Sequence, residues 1–380
     1  MTLDEAKDLV SAIKSGGLEF EHRVIDIIQG RGIGFFDEET NLSALRESGA
    51  TDGVIAVIKK IAPPRPITTG TLALRCAPAE CEITLNGKLL GTTTGGQLVL
   101  VALPAGEVRV DFAKEGYEPQ QHSALVTAGG RREVSAALEP NSATREGNGK
   151  RLLALMLNAL GMDSGAKDLP PLTGSGSITS YADGTQREWN FDLGFGSSTM
   201  IEMRAESSAG DVNYVCSGQR CSERKKGHFL SRGAKGAPPA VAAALETNLR
   251  AFAQYHLGPI LQSLLAPSAR LTASTADDKP QADQHLRVEL SDSVYDLRLG
   301  PDLLPAEVEY ESKMGLGSGL RILFGGYGNV TGDEKPDHGG VPRYPRHTTI
   351  RLPDSEKHGI EVKLDKVEPW TAFKASDFGK

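Results

Sequence analysis

Alternation of apolar and polar residues between Gly174 and Phe378 is the feature that most restricts the fold. It is clearest in the segments 188–195, 201–205 and 360–365, where every second residue is apolar. A period of two is typical of β-strands in a sheet that is apolar on one face and polar on the other. A single long apolar helix, predicted from about Pro239 to Leu265, is a small cover for so many strands. Part of the apolar face must therefore be covered by something else, and the identity of that cover bears on function.

Length and composition restrict the class of protein. The chain has 380 residues, of which 39% are hydrophobic, enough for two or three domains with cores. Its net charge of -7 gives no overall attraction to nucleic acid, so we expect no nucleic-acid partner. No run of about 18 apolar residues occurs, which predicts no membrane-spanning helix. The first residues lack the basic start and apolar core of a secretory signal, which leaves a cytoplasmic location or prior processing open.

Four cysteines occur as two pairs with the same spacing, Cys76 with Cys81 and Cys216 with Cys221. In each pair, four turn-prone residues separate two segments that resemble strands, so the thiols would face each other across a hairpin. We expect two disulfides, and therefore an oxidising compartment such as the periplasm or cell envelope. Free thiols in a cytoplasmic protein are the alternative. A four-cysteine zinc site is disfavoured because the pairs lie far apart in the chain, and no metal site is predicted.

The chain divides into three predicted domains, at 1–62, 70–140 and 150–380. The first is a small helical domain, opened by a capping box of Thr2 and Glu5. Its short helices and mixed charge favour contact with a protein partner over catalysis. A stiff proline-containing linker follows, and a second linker rich in serine, glycine and charge is predicted from Asn141 to Gly149.

Residues 70–140 alternate short strands with turn signals. The segments that carry a resemblance are Pro78 with Glu80, the hairpin Asn86-Gly87-Lys88 followed by Gly91-Thr92, the turn Leu103-Pro104-Ala105-Gly106, and Gly116-Tyr117. This stretch resembles the PEGA domain, a small module like a β-sandwich. Cys81 and the pair Thr93-Thr94 depart from the family pattern. The resemblance implies a structural or protein-interaction unit, often of envelope proteins, without catalytic residues.

The last domain begins with a predicted apolar helix from Lys150 to Met162, followed by strands, the long helix and further strands. Its terminal pattern includes Tyr327, Gly332, Pro345 and Ile350. This arrangement resembles the LolA/LolB lipoprotein-carrier fold. The resemblance implies a curved antiparallel half-barrel sheet with helices in its concave face, so the predicted fold class is α+β and multidomain.

That resemblance implies that the concave face binds the acyl chain of a lipid or lipoprotein. Each buried methylene contributes about 0.8 kcal/mol, so an apolar groove can hold a fatty chain without special chemistry. The predicted lining residues are Trp189, Phe191, Phe195, Ile201, Met203, Val241, Leu245, Phe252, Leu320, Ile322 and Phe324. The alternative is that the same residues form an ordinary filled core.

The last domain also contains a cluster of basic residues and a proline within the long helix. A basic cluster includes Arg220, Arg224, Lys225 and Lys226; it is read as a solvated loop or, alternatively, as a peripheral contact with anionic lipid headgroups. Pro259 after Gly258 predicts a kink or break in the long helix, and a plain helix-turn-helix is favoured over a gate. His256 beside it is interpreted as a satisfied core or edge histidine.

No catalytic motif was found, which predicts a non-enzymatic protein without cofactors. The resemblances to the PEGA domain and to the LolA/LolB fold together imply an envelope protein whose last domain binds lipid. The alternative is an interaction scaffold in which the sheet domain is closed and the helical and PEGA-like modules contact proteins.

Overall fold

The fold is taken from a computed structural model, which describes residues 1–63, 68–163, 169–182, 185–197, 200–208, 210–217, 220–223, 239–278, 280, 282–313, 319–330, 342–352 and 355–373. These residues form two compact units. The first contains 1–114 with 119–138, and the second contains 115–118 with 139–380. The division into three domains stays a prediction.

Four helices form the amino-terminal part of the first unit. They are α1 (Leu3–Gly16), α2 (Leu18–Arg31), α3 (Glu39–Ser48) and α4 (Asp52–Ile61). The predicted capping box is present, since the Thr2 backbone N–H donates to the Glu5 carboxylate at 2.7 Å and the Glu5 backbone N–H donates to the Thr2 hydroxyl at 3.3 Å. The bond from the Thr2 backbone holds the pKa of Glu5 below its usual value. Buried apolar side chains from all four helices share one core.

Seven strands follow, and they form two sheets. They are β1 (Thr69–Ala77), β2 (Glu82–Leu85), β3 (Lys88–Thr92), β4 (Gln97–Pro104), β5 (Gly106–Ala113), β6 (Gln120–Val126) and β7 (Arg131–Ala137). One sheet has the order β4-β1-β7 and the other β3-β2-β5-β6. Asn86 and Gly87 both have positive φ, 49° and 80°, in the tight turn that joins β2 to β3. The predicted sandwich-like module is therefore confirmed.

The disulfide predicted between Cys76 and Cys81 is present. Its location differs from the predicted one, because β1, which carries Cys76, and β2, which begins directly after Cys81, belong to different sheets. The expectation of a hairpin was therefore wrong at this pair. The bond connects the two sheets where the chain passes from one to the other.

The second unit opens with α5 (Ser142–Ala159), so the predicted linker from Asn141 to Gly149 was wrong. The Asn141 side chain accepts a hydrogen bond from the Thr144 backbone N–H at 3.0 Å, which caps the helix. The two glycines of this segment suggested a linker, yet Gly149 is buried where α5 packs on the short strand β13 (Arg270–Thr272). A Cβ atom at position 149 would lie 2.6 Å from the backbone carbonyl of Leu271.

This packing predicts opposite effects for two neighbouring substitutions in α5. Gly149→Ala should lower the free energy of unfolding by roughly 2 kcal/mol, because the added methyl group overlaps the Leu271 backbone. Gly147→Ala, with nothing within 4 Å of the new atom, should raise it by about 1 kcal/mol through helix propensity. Urea denaturation of both variants measures the difference, and equal effects would contradict the close helix–strand contact.

The remaining strands form one antiparallel sheet of twelve and a separate two-stranded ribbon. The strands are β8 (Leu172–Ala182), β9 (Thr185–Ser197), β10 (Met200–Ser207), β11 (Gly210–Ser217), β12 (Arg220–Glu223), β13 (Arg270–Thr272), β14 (Gln284–Glu289), β15 (Ser293–Leu299), β16 (Pro305–Ser312), β17 (Leu320–Gly325), β18 (Gly328–Asn329), β19 (Arg343–Tyr344), β20 (His347–Leu352) and β21 (Ser355–Pro369). The sheet order is β12-β11-β10-β9-β8-β21-β20-β17-β16-β15-β14-β13, and the ribbon is β18-β19. The predicted fold class, an α+β protein with a large curved open sheet, is confirmed.

Two helices, α6 (Pro239–Tyr255) and α7 (Leu257–Leu264), replace the single long helix that the sequence predicts. The break falls at His256, whose backbone is extended and whose side chain caps α7. Pro259 lies in the first turn of α7, where no intrahelical hydrogen bond from its nitrogen is needed. The kink or break predicted at Pro259 is therefore a break, located three residues earlier.

Candidate functional site

The inner face of the large sheet carries the candidate site. Along β9 the side chains of Trp189, Phe191 and Phe195 are buried, whereas Asn190 between them is exposed. Phe191 meets Phe252 of α6 edge-to-face, with ring centroids 5.7 Å apart. The helix therefore covers the apolar face that the alternation predicts.

Most of the predicted lining residues meet in one interior. Nine of them are buried in a single apolar cluster: Trp189, Phe191, Phe195, Ile201, Met203, Leu245, Phe252, Ile322 and Phe324. Leu320 is half-buried and packs against the same cluster. The side chain of Val241 lies outside the described residues. Their role as a lipid-lining surface stays a prediction, since a filled core would also bury them.

His256 lies at the centre of the contact between the helices and the sheet. Its ring is fully buried and stacks on Phe252 at 5.4 Å, with Phe195 at 5.3 Å. Its Nδ1 accepts the Gly258 backbone N–H at 3.1 Å and lies 3.3 Å from the Tyr344 hydroxyl. Three separate segments of the chain, α6–α7, β9 and β19, therefore converge on one imidazole.

The protonation state of His256 follows from these contacts. Because Nδ1 accepts a backbone hydrogen bond, the proton of the neutral ring is assigned to Nε2. Burial lowers the pKa of His256 to about 3, so the ring is neutral at physiological pH. In the described part of the chain, Nε2 has no hydrogen-bond partner. The interpretation of His256 as a satisfied core histidine was therefore wrong for one of its two nitrogens.

A second buried donor lies further along β9. The indole N–H of Trp189 is also without a hydrogen-bond partner among the described residues. Trp189 and Phe195 are six positions apart, which corresponds to about 20 Å along a strand. The apolar stripe of β9 thus has one unpaired donor at its Trp189 end and another, His256, beside Phe195.

Polar contacts hold the two helices at the margins of this interior. The Asn248 side-chain amide of α6 donates to the Ser180 hydroxyl of β8 at 2.5 Å. In α7 the Ser263 hydroxyl lies 3.3 Å from that of Tyr295. Tyr255 and Tyr295 each pack against Tyr310, with ring centroids 5.1 Å apart. Burial is the main cause that raises the pKa of Tyr255 and of Tyr295, so both phenols remain neutral.

The outer face of the same sheet is polar and charged. Glu307 on β16 is paired with Arg298 on β15, at 2.8 Å, and with Arg321 on β17. The hydrogen bond from Arg321, followed by that from Arg298, lowers the pKa of Glu307. On β10, Arg204 is paired with Asp211 at 3.1 Å. At the β10–β11 end, however, the same face also buries an apolar cluster of Val215 and Trp370, so the prediction of a sheet that is apolar on one face only is wrong there.

Several predicted features lie outside the described residues. Arg224, Lys225 and Lys226 of the basic cluster do so entirely, and Arg220 is described only as a backbone position in β12. Cys216 and Cys221 are directly opposite each other in the β11–β12 hairpin, but the Cys221 side chain is not described, so the second disulfide stays a prediction. Within the described ranges, no group of three or more histidine, cysteine, aspartate or glutamate side chains could hold a metal ion.

The sequence did not indicate the roles of Tyr344 or of the three tyrosines that pack together, Tyr255, Tyr295 and Tyr310. Tyr344 is 1% exposed, and burial raises its pKa. It lies in the two-residue strand β19, too short to show any periodicity. Tyr310 does alternate with polar residues in β16, which would have indicated an inward orientation without naming its partners. Tyr295 follows the apolar Val294, so its pattern is less clear.

The family model described as the PEGA domain matches residues 69–142. Among solved structures, the chain is similar to a putative outer membrane lipoprotein-sorting protein domain from Vibrio parahaemolyticus, at 10% identity over 63% of this chain and 97% of that chain, with a TM-score of 0.36. It is also similar to a LolA superfamily protein from Nitrosomonas europaea, at 8% identity over 61% of this chain and 97% of that chain, with a TM-score of 0.37. A DUF1329 family protein from Desulfovibrio piger is similar at 10% identity over 62% of this chain and 97% of that chain, with a TM-score of 0.33.

No curated protein matches the chain. In the residues that the structure describes, none of the helices has the length and apolar character needed to cross a membrane.

Proposed function

We propose that the second unit binds the acyl chain of a lipid or lipoprotein between the inner face of the large sheet and the helices α6 and α7. The observation that carries the proposal is one continuous apolar interior covered by three separate helices, α5, α6 and α7. The protein acts as a carrier or binding protein and performs no chemistry on the lipid. No cofactor takes part.

The energetics of this interior suit an acyl chain. A chain of twelve carbons gains roughly 10 kcal/mol gross on leaving water, at about 0.8 kcal/mol per methylene. The interior is closed in this structure, since the described lining residues other than Leu320 are buried. Binding therefore requires α6 and α7 to move away from the sheet, with the break at His256 as the hinge. Polar contacts of these helices, such as that of Asn248 with Ser180, are exchanged for water when they open.

We also propose that the protein is located in the periplasm or cell envelope. The Cys76–Cys81 disulfide favours an oxidising compartment, and the periplasm or cell envelope is where a lipoprotein carrier would work. A PEGA-like module agrees with that location. Proteins that receive or deliver the lipid would contact the helical and PEGA-like modules.

Titration of the intact chain with the uncharged apolar dye N-phenyl-1-naphthylamine tests the proposal. We expect saturable fluorescence enhancement at one site per chain, and displacement of the dye by methyl laurate, because both compete for the apolar interior. Val101→Lys serves as the matched control, since Val101 is an exposed apolar residue of the first unit and its loss should leave the titration unchanged. Absence of saturable binding, or its loss in Val101→Lys, would contradict the proposal.

An interaction scaffold is the second candidate, and a specific observation favours it. Exposed apolar side chains of the PEGA-like module lie on strands at the edges of its two sheets: Val99 and Val101 on β4, Leu89 on β3 and Leu125 on β6. Val101 is 71% exposed and Leu125 61%. Open strand edges with apolar residues are surfaces on which another chain can pair. Under this reading the interior of the second unit is a filled core, and the dye titration shows no saturable site.

A further inference from the structure

The unpaired Nε2–H of His256 carries an inference about the lipid itself, which rests on the proposed function. The two nitrogens of an imidazole point in divergent directions, so the Nε2–H points away from Gly258 and Tyr344, which occupy the Nδ1 side. A buried donor without an acceptor is unfavourable. The ring is 0% exposed, and the described residues supply no acceptor for it. A ligand oxygen would supply one.

We propose that the Nε2–H of His256 donates a hydrogen bond to an uncharged carbonyl oxygen of the bound lipid, that of an ester or amide. The site is at the hinge between α6 and α7, beside Phe195 and Phe252. The acyl chain then extends along the apolar stripe of β9 towards Trp189.

The surroundings of the His256 ring determine which chemical class of lipid can accept this hydrogen bond. In the described residues its aromatic and hydrogen-bonding partners are Phe195, Phe252, Tyr344 and the Gly258 backbone, and none is charged. A carboxylate placed there would lose its hydration without a cation to replace it. Acyl esters and N-acyl amides, the linkages of glycerolipids and of acylated proteins, satisfy the donor without that cost. A free fatty acid at neutral pH does not.

The test compares an ester with a hydrocarbon of similar length. Methyl laurate and tetradecane are each titrated against bound N-phenyl-1-naphthylamine in the wild type, in His256→Phe and in His256→Asn. Phenylalanine keeps the ring stacking, and asparagine keeps an oxygen that can cap α7, but neither places a donor at the Nε2 position. Taking the ratio of the two affinities within each protein removes the difference in water solubility between the compounds.

We expect the wild type to favour the ester over the hydrocarbon by roughly tenfold more than either variant does, the effect of one hydrogen bond of about 1.4 kcal/mol. Equal ratios in all three proteins would overturn the inference while leaving the proposed function intact. Failure of the wild type to bind either compound would overturn the proposed function.

A measurement on the unaltered protein guards against variants that fail to fold. In proton–nitrogen-15 correlation spectra, the proton resonance of the His256 Nε2–H group should move downfield when methyl laurate is added. It should stay near its ligand-free position when tetradecane is added. The same small shift with both compounds would contradict a hydrogen bond to the ester.

Discussion

Acidification from about pH 6.5 to about pH 5 should lower the free energy of unfolding of this protein more steeply than that of His256→Asn. The physical reason is burial, which lowers the pKa of His256 to about 3 in the folded protein. In the unfolded chain the same side chain titrates near its ordinary value of about 6.5. Between these two values the unfolded state binds one more proton than the folded state, so stability is lost as the pH falls.

The size of the effect is about 1.4 kcal/mol for each pH unit once the unfolded histidine is mostly protonated. The titratable side chain that hydrogen-bonds to the ring, Tyr344, has a raised pKa and stays neutral throughout this range. Glu307, whose pKa is lowered, loses its contribution only at more acidic pH. The range above about pH 5 therefore reports mainly on histidine.

Urea denaturation of both proteins at several pH values measures the two slopes. Asparagine does not titrate and can still cap α7, so His256→Asn isolates the ionisation from the cap. The remaining histidines are common to both proteins and cancel in the comparison. If the free energy of unfolding falls equally steeply with pH in both proteins, the pKa of His256 is not lowered by folding, which would contradict the prediction.

The large sheet could be predicted because its information is local. Alternation in segments such as 360–365 places Ile360, Val362 and Leu364 on one face without knowledge of any partner strand, and all three are buried. The turn at Asn86-Gly87 could be predicted for the same reason, since two residues determine its backbone.

Features that depend on distant contacts could not be predicted. Gly149 looked like part of a linker because its closest neighbours, Leu271 and Thr272, are more than a hundred positions away. The break between α6 and α7 was misplaced because histidine is not among the preferred capping residues. The meeting of His256 with Tyr344 depends on the fold of the whole unit.

The candidate site shows the same division. The apolar character of the interior was evident from the alternation, and nine of the eleven predicted lining residues are buried in one cluster. The polar groups inside it were not evident. The sequence shows that His256 is present in an apolar segment, but only the packing shows which of its nitrogens has a partner.

Locking α6 to the sheet should abolish lipid binding. Asn248 of α6 and Ser180 of β8 are in hydrogen-bond contact, so the double variant Ser180→Cys/Asn248→Cys is designed to join helix and sheet by a disulfide. Because the interior is closed, the cross-linked helix cannot uncover it. We expect affinity for N-phenyl-1-naphthylamine to fall by more than roughly a hundredfold in the oxidised variant, the loss of about 2.7 kcal/mol or more.

Reduction should restore the binding, and the wild type treated with the same reductant controls for the Cys76–Cys81 bond. The thiol count of the oxidised variant, measured before titration, shows that the cross-link has formed. Dye titration of this variant, oxidised and then reduced, is the most direct test of an interior that opens by movement of α6 and α7. An interior that opens in this way binds the dye only after reduction. Equal saturable binding in both states would contradict it.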